Sequence, residues 1–256
     1  MHEKLVEIRS LQKVFGGLVA VNALDLNIYN GEIMGLIGPN GSGKTTVLNM
    51  IDGSLFPSKG KIFFENNDIT ALAHYERARK GIARIFQHNV FFNSFTVLEN
   101  IAVSVLQQSG RRRSTEAYSQ HSSRGSIYKE ALNVLSFVSL DKNSSEFASN
   151  LPHGKQRLLS LAIALATRPR LLLLDEPLTG MNAEEVKTMI NMINLLRDKN
   201  GITCIVVEHN LKAVMGLCDR ITVLNFGEKL AEDKPTEIVR NHDVIKAYLA
   251  TKEDVI

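Results

Sequence analysis

The run Gly38-Pro39-Asn40-Gly41-Ser42-Gly43-Lys44-Thr45-Thr46 sets closely spaced glycines against a lysine and two threonine hydroxyls. An apolar stretch, residues 33–37, leads into it, and residues 47–51 leave it with helical character. Strand, glycine-rich loop and helix in that order make a phosphate cradle. The glycines let successive backbone N–H groups turn inward, and the helix N-terminus adds partial positive charge. Lys44 then reaches β- and γ-phosphates, while the Thr45 hydroxyl holds Mg²⁺. The bland alternative is a glycine turn beside a solvated lysine, and the flanking strand and helix argue against it. The chemistry implied is nucleoside triphosphate binding.

Residues 171–174 are all leucine and lead into Asp175-Glu176-Pro177, which suits a buried parallel strand with acids at its tip. Asp175 is placed to support Mg²⁺ through water, and Glu176 to orient or deprotonate an attacking water. A second run, 202–207, is β-branched and nearly all apolar, and ends in Glu208-His209. Ligands gather at the carboxyl ends of strands in open α/β sheets, so His209 is expected to face the γ-phosphate and help fix Glu176. Gln87 closes a third apolar run, 82–86, with an amide that reaches both Mg²⁺ and the nucleophilic water. Solvated acids, a structural histidine and a surface glutamine are the competing readings. Each loses weight beside a phosphate loop.

In this order the elements resemble the ATP-binding-cassette (ABC) family over almost the whole chain, with Lys44, Gln87, Asp175–Glu176 and His209 at its Walker A, Q-loop, Walker B and H-loop positions. The resemblance implies an α/β P-loop NTPase cassette: a mainly parallel core sheet, a small antiparallel β subdomain and an inserted helical subdomain. It implies ATP and Mg²⁺ as ligands, and an adenine stacked on Phe15. Stacking needs only a flat π face, so Phe serves as well as Tyr, although a core phenylalanine beside Val14 is a rival reading. The family's signature segment, usually Leu-Ser-Gly-Gly-Gln, stands here as Leu151-Pro152-His153-Gly154-Lys155. In the family it binds the γ-phosphate held by the opposite subunit. Pro152 offers neither hydroxyl nor N–H, so two donors are missing, with Lys155 or His153 left to supply charge.

A narrower resemblance rests on Thr179-Gly180-Met181-Asn182, on Thr96-Val97-Leu98-Glu99-Asn100 and on the closing Val244-Ile245-Lys246-Ala247-Tyr248-Leu249. With the polar stretch after residue 106, these look like the longer ATP-binding subunit of branched-chain amino acid importers. That implies a second cassette, alike or different, two membrane permeases and, indirectly, a solute-binding protein. It also implies a place on the cytoplasmic face of the inner membrane. Lipopolysaccharide-export cassettes share the tail pattern. Soluble non-transport cassettes usually carry two cassettes per chain, chromosome-type ATPases a long heptad insertion, and regulatory cassettes lose Glu176 or His209.

The chain has 256 residues, 44% of them hydrophobic, and a formal net charge of +3. That charge advertises neither nucleic acid nor an anionic membrane as partner. Cys204 and Cys218 cannot build a disulfide framework, and Cys204 reads as a core strand residue. The N-terminus has no signal-peptide pattern, and no apolar run approaches the roughly 18–20 residues that a spanning helix needs. One unit over 1–256 is expected, with a nucleotide-binding core at 1–87 and 151–256 and a helical subdomain at 88–150. Strands at 4–10, 24–29 and 61–65 suggest the antiparallel sheet; 32–56 and 157–226 supply the parallel sheet and its helices. Helical spacing covers 97–106 and 128–137, and a helix follows the signature over 157–167. Between the first two, residues 107–126 carry Arg111-Arg112-Arg113 and many serines, which predicts an exposed mobile loop. The tail is polar, with helices at 235–240 and 244–249.

Overall fold

The computed structural model describes residues 3–87, 90–112 and 120–253. Two sheets carry the fold. The larger runs β10-β9-β3-β8-β7-β6 and is built from Ile33–Ile37 (β3), Ile82–Ile85 (β6), Leu171–Asp175 (β7), Thr203–Val207 (β8), Arg220–Asn225 (β9) and Glu228–Asp233 (β10). All neighbours are parallel except the edge pair β9–β10. The smaller sheet runs β2-β1-β4-β5 and is antiparallel: Lys4–Phe15 (β1), Leu18–Tyr29 (β2), Lys59–Phe64 (β4) and Asn67–Asp68 (β5).

Every residue of β3, β7 and β8 is buried. Their period-two alternation divides the side chains between two cores. Leu172, Leu174, Cys204 and Val206 face one core with the helices His153–Ala166 (α5), Ala183–Asn200 (α6) and Leu211–Leu217 (α7). Leu171, Leu173, Ile205 and Val207 face the other. There Lys44–Asp52 (α1) lies between the two sheets and buries Val47, Leu48, Met50 and Ile51. The short helix His74–Lys80 (α2) follows the antiparallel sheet.

Val97–Arg112 (α3) and Gln120–Phe137 (α4) pack on one another, and both rest on α5. Four sequence expectations change here. Residues 107–112 and 120–126 belong to α3 and α4 rather than to a loop, and residues 113–119, with Arg113, lie outside the described residues. A helix already nucleated extends cheaply over good helix formers such as Gln107, Gln108, Arg111 and Arg112, whatever their polarity. The signature helix begins at His153, not at 157: Pro152 holds the non-helical backbone of an N-cap residue (φ −55°, ψ 153°), and the chain turns helical directly after it. β2 starts at Leu18, since its hairpin partner β1 continues to Phe15. Residues 228–233 form the edge strand β10 in what read as polar tail; an edge needs only one buried face. Pro235–Ile238 (α8) and His242–Glu253 (α9) close the chain.

Candidate nucleotide site

β3 ends at Ile37 and hands the chain to the glycine loop, which must turn in a space too small for side chains. A Cβ on Gly38 (φ +150°) would lie 2.1 Å from the Leu224 carbonyl oxygen, and one on Gly43 (φ +103°) 2.6 Å from that of Ala20. Among the described residues no acceptor is paired with the backbone N–H groups of Gly41, Gly43, Lys44, Thr45 or Thr46. Five donors at a helix N-terminus make a site for an anion. Pro39 and Ser42 are buried, while Asn40 and Thr45 stay exposed. The Lys44 ammonium curls over the loop and donates to the carbonyls of Gly38 and Pro39, both at 2.8 Å. Burial draws its pKa below the ordinary value, opposed by the charges of Glu176 and Asp175.

The carboxyl ends of β7 and β8 meet beside this loop. Glu176 sits at φ +50°, a left-handed conformation uncommon for a non-glycine residue, and its N–H donates to the Val207 carbonyl at 2.9 Å. Its carboxylate is gripped on both oxygens: Gln87 Nε2 donates to Oε2 at 2.9 Å, and His209 Nε2 lies 2.9 Å from Oε1. The Thr179 hydroxyl adds a contact to Oε2 at 3.3 Å. Three strand ends, β6, β7 and β8, therefore deliver Gln87, Glu176 and His209 to one point. Asp175 is buried one residue earlier and keeps Oδ2 in an ion pair with Arg84.

Phe15 stands at the tip of the β1–β2 hairpin, 47% exposed, which removes the core reading. Lys13 Nζ lies 5.1 Å from its ring centroid. Ala20, further along β2, is the residue against which Gly43 packs, so the hairpin flanks the phosphate loop.

The signature residues lie apart. Leu151 and Gly154 are buried, and Pro152, His153 and Lys155 are exposed at the start of α5. Among the described residues no hydrogen bond made by 151–155 reaches 38–46; Lys155 Nζ instead donates to Asn143 Oδ1 at 3.0 Å. Gly154 leaves room for the Glu185 carboxylate: a Cβ there would fall 2.1 Å from Glu185 Oε1, so the Glu185 side chain would have to move. The His153 ring packs against Gly180 in the turn after β7.

Three buried ions were not singled out from the sequence. Arg84 Nη2 donates to Asp175 Oδ2 at 2.6 Å. Arg157, in the second turn of α5, donates to the carbonyls of Phe86 at 3.3 Å and Thr179 at 3.5 Å, and so joins the strand ends that carry Gln87 and Glu176. Glu208 accepts from the Leu178 N–H at 2.7 Å, and burial pushes its carboxyl above the usual range. For Arg84 and Glu208 the available signal was a charge inside or directly after an apolar run; Arg157, in the polar stretch after Lys155 and Gln156, carried no such signal.

The Thr45 hydroxyl, Gln87 Oε1 and Asp175 are hard oxygen donors, the kind that Mg²⁺ takes together with phosphate oxygens. These residues fit a cation that shares its shell with a polyphosphate.

Comparison with known proteins agrees with this geometry. The ABC transporter family matches residues 21–179, and the branched-chain amino acid ATP-binding cassette transporter family matches residues 228–249. The chain is similar to the high-affinity branched-chain amino acid transport ATP-binding protein LivG of Escherichia coli K12, at 39% identity over 97% of this chain and 99% of that protein. Its fold matches the solved ADP conformation of an ATP-binding cassette of an ABC transporter, with TM-score 0.84, 27% identity, and coverage of 96% and 98%. It also matches a dimeric cassette in a post-hydrolysis state bound to ADP and Pi, with TM-score 0.77, 25% identity, and coverage of 90% and 98%. The chain belongs to the ABC transporter family, as one of its ATP-hydrolysing cassettes.

Proposed function

We propose that this cassette hydrolyses Mg–ATP to power the import of branched-chain or related amino acids. The observation that carries the catalytic part is the doubly held Glu176 carboxylate, at the end of β7, with only β8 between it and β3, which launches the phosphate loop. The loop amides and Lys44 bind the triphosphate and offset its charge. Phe15 stacks on the adenine. Glu176 accepts the proton of the attacking water, and Gln87 and His209 keep its two oxygens from rotating. Thr45, Gln87 and Asp175 would hold Mg²⁺, which when bound would neutralise charge on the phosphate oxygens.

The import reading rests on the LivG likeness and on the match at 228–249, which covers β10 and most of the tail. No helix among the described residues is long and apolar enough to cross a membrane. In this reading two permease subunits hold the cassette on the cytoplasmic face, and a second cassette, alike or different, closes its signature segment over the γ-phosphate. Residues 88–150 act as the helical subdomain. There Phe92 and Phe95, exposed and 5.0 Å apart between ring centroids, form the docking surface beside the Gln87 loop.

The test is leucine uptake by the parent cell after loss of the gene, with wild-type or Glu176→Gln protein restored. Uptake should return with the wild type alone. Undiminished uptake without the gene would overturn the import reading.

A further inference from the structure

The candidate cation donors come from three separate elements: Thr45 from α1, Gln87 from the end of β6, Asp175 from β7. One side chain touches all three elements. Arg84, on β6, donates from Nη1 to Asn49 Oδ1 and to Asp52 Oδ2 on α1, both at 2.6 Å, and from Nη2 to Asp175 Oδ2 at 2.6 Å. The Arg84, Asp52 and Asp175 side chains are 3%, 1% and 9% exposed. The guanidinium also lies 4.7 Å from the centroid of the Phe86 ring, next to Gln87.

A buried ion pair is poor evidence of stabilisation, because desolvation offsets most of the Coulomb gain. Its value here lies in geometry. A planar fork spans two carboxylates in a fixed arrangement that a single ammonium cannot reproduce. With Oδ2 of Asp175 engaged, no hydrogen bond among the described residues reaches its Oδ1, which leaves that oxygen for other use.

We propose that Arg84 is the positioning residue of the cation site: it clamps Asp175 to α1, so that Asp175 Oδ1, the Thr45 hydroxyl and the Gln87 strand form one rigid frame. This inference rests on the Mg–ATP reading above. Among the described residues no hydrogen bond joins Arg84 to the phosphate loop, so its loss should weaken the metal-dependent part of nucleotide binding and spare the rest. Outer partners of metal ligands typically change metal affinity by about 10–100-fold.

The experiment is calorimetric titration of ATP into the purified protein, once with excess EDTA and once with Mg²⁺, for wild type, Arg84→Gln and Arg84→Lys. Arg84→Gln should leave ATP affinity in EDTA within about twofold and cut the gain conferred by Mg²⁺ by roughly tenfold or more. Arg84→Lys should resemble Gln more than the wild type, because one ammonium cannot hold Asp52 and Asp175 in the same fork. Should Arg84→Gln fail to fold with two buried acids unpaired, the double variant Asp52→Asn/Arg84→Gln keeps the net charge of the cluster and the Asn oxygen that accepts from Ser54. It carries the same expectation. Equal losses in EDTA and Mg²⁺, or an unchanged Mg²⁺ gain, would show that Arg84 only packs. A wild type that binds no ATP, or gains nothing from Mg²⁺, would instead remove the Mg–ATP reading itself.

Discussion

In the proposed mechanism Glu176 is the base, and its environment suits a glutamate to that role. A carboxylate must stay where the water arrives, and this one is fixed by an amide donor on one oxygen and an imidazole on the other, on a backbone in a left-handed conformation. Such strain costs of order 1–3 kcal/mol and persists only where the surroundings over-determine it. Glu176→Gln keeps the shape and removes the proton acceptor. Turnover, read as phosphate release, should fall by about 10²–10⁴, the usual worth of a positioned base; a loss under about threefold would remove the assignment. Lys44 is the second single-residue case. Its ammonium holds the Gly38 and Pro39 carbonyls, which are weak partners compared with a phosphate. Lys44→Ala should weaken ATP binding roughly ten- to hundredfold and leave AMP binding nearly unchanged, since a charge-assisted contact contributes about 1.5–3 kcal/mol. Calorimetry giving both proteins the same ATP affinity would contradict this role.

At the level of elements, the start of α5 is the unusual part of this cassette. Pro152 is the N-cap and makes no side-chain cap, while Gly154 admits the Glu185 carboxylate that caps α6 through the Asn182 N–H at 2.9 Å. The two helices are therefore coupled at their N-termini. Gly154→Ala should push Glu185 aside and cost about 1 kcal/mol of capping. Calorimetric unfolding should move down by roughly 2–4 °C in a chain of this size; an unshifted transition would mean that Glu185 simply swings away. Pro152→Ser adds both an N-cap oxygen and the hydroxyl and N–H donors that face a partner's γ-phosphate in the family. It should raise the ATPase rate of the isolated chain, most clearly at high protein concentration where a homodimer forms. Superimposable rate–concentration curves would show that Gly154 and Lys155 suffice.

Over the whole molecule, the nucleotide in the proposed mechanism acts through an equilibrium between open and closed pairs of cassettes. ATP shifts that equilibrium only by its preference for the closed pair, and hydrolysis withdraws the preference. With Glu176→Gln, ATP should accumulate in the closed pair, so light scattering should report a dimer with ATP and a monomer with ADP. A monomer under both conditions would mean that this chain needs a different cassette as partner, with unequal sites: one closed by the partner's signature, the other by Pro152 and its neighbours.

The phosphate loop, the acids at 175–176, His209 and Gln87 could be read from the chain because each sits on a local pattern: an apolar run of strand length followed at once by polar chemistry. The order of those runs was enough to expect a parallel sheet, and β3, β7 and β8 lie buried as the unbroken apolar runs require. Local pattern also misled where polarity was taken for irregularity, at 107–112, 120–126 and 228–233, because helix extension and edge pairing do not ask for apolar residues. What the sequence could not reveal is which distant side chains meet. Arg84 and Asp52, Arg157 and Phe86, Glu208 and Leu178, Gly154 and Glu185 are pairs formed across elements. Their meeting depends on strand order, on the rotation of each helix over the sheet and on the exclusion of water, none of which is a property of neighbouring residues. The tertiary structure alone turns a lone charge in an apolar run into a clamp, and a glycine at a helix start into the seat of another helix's cap.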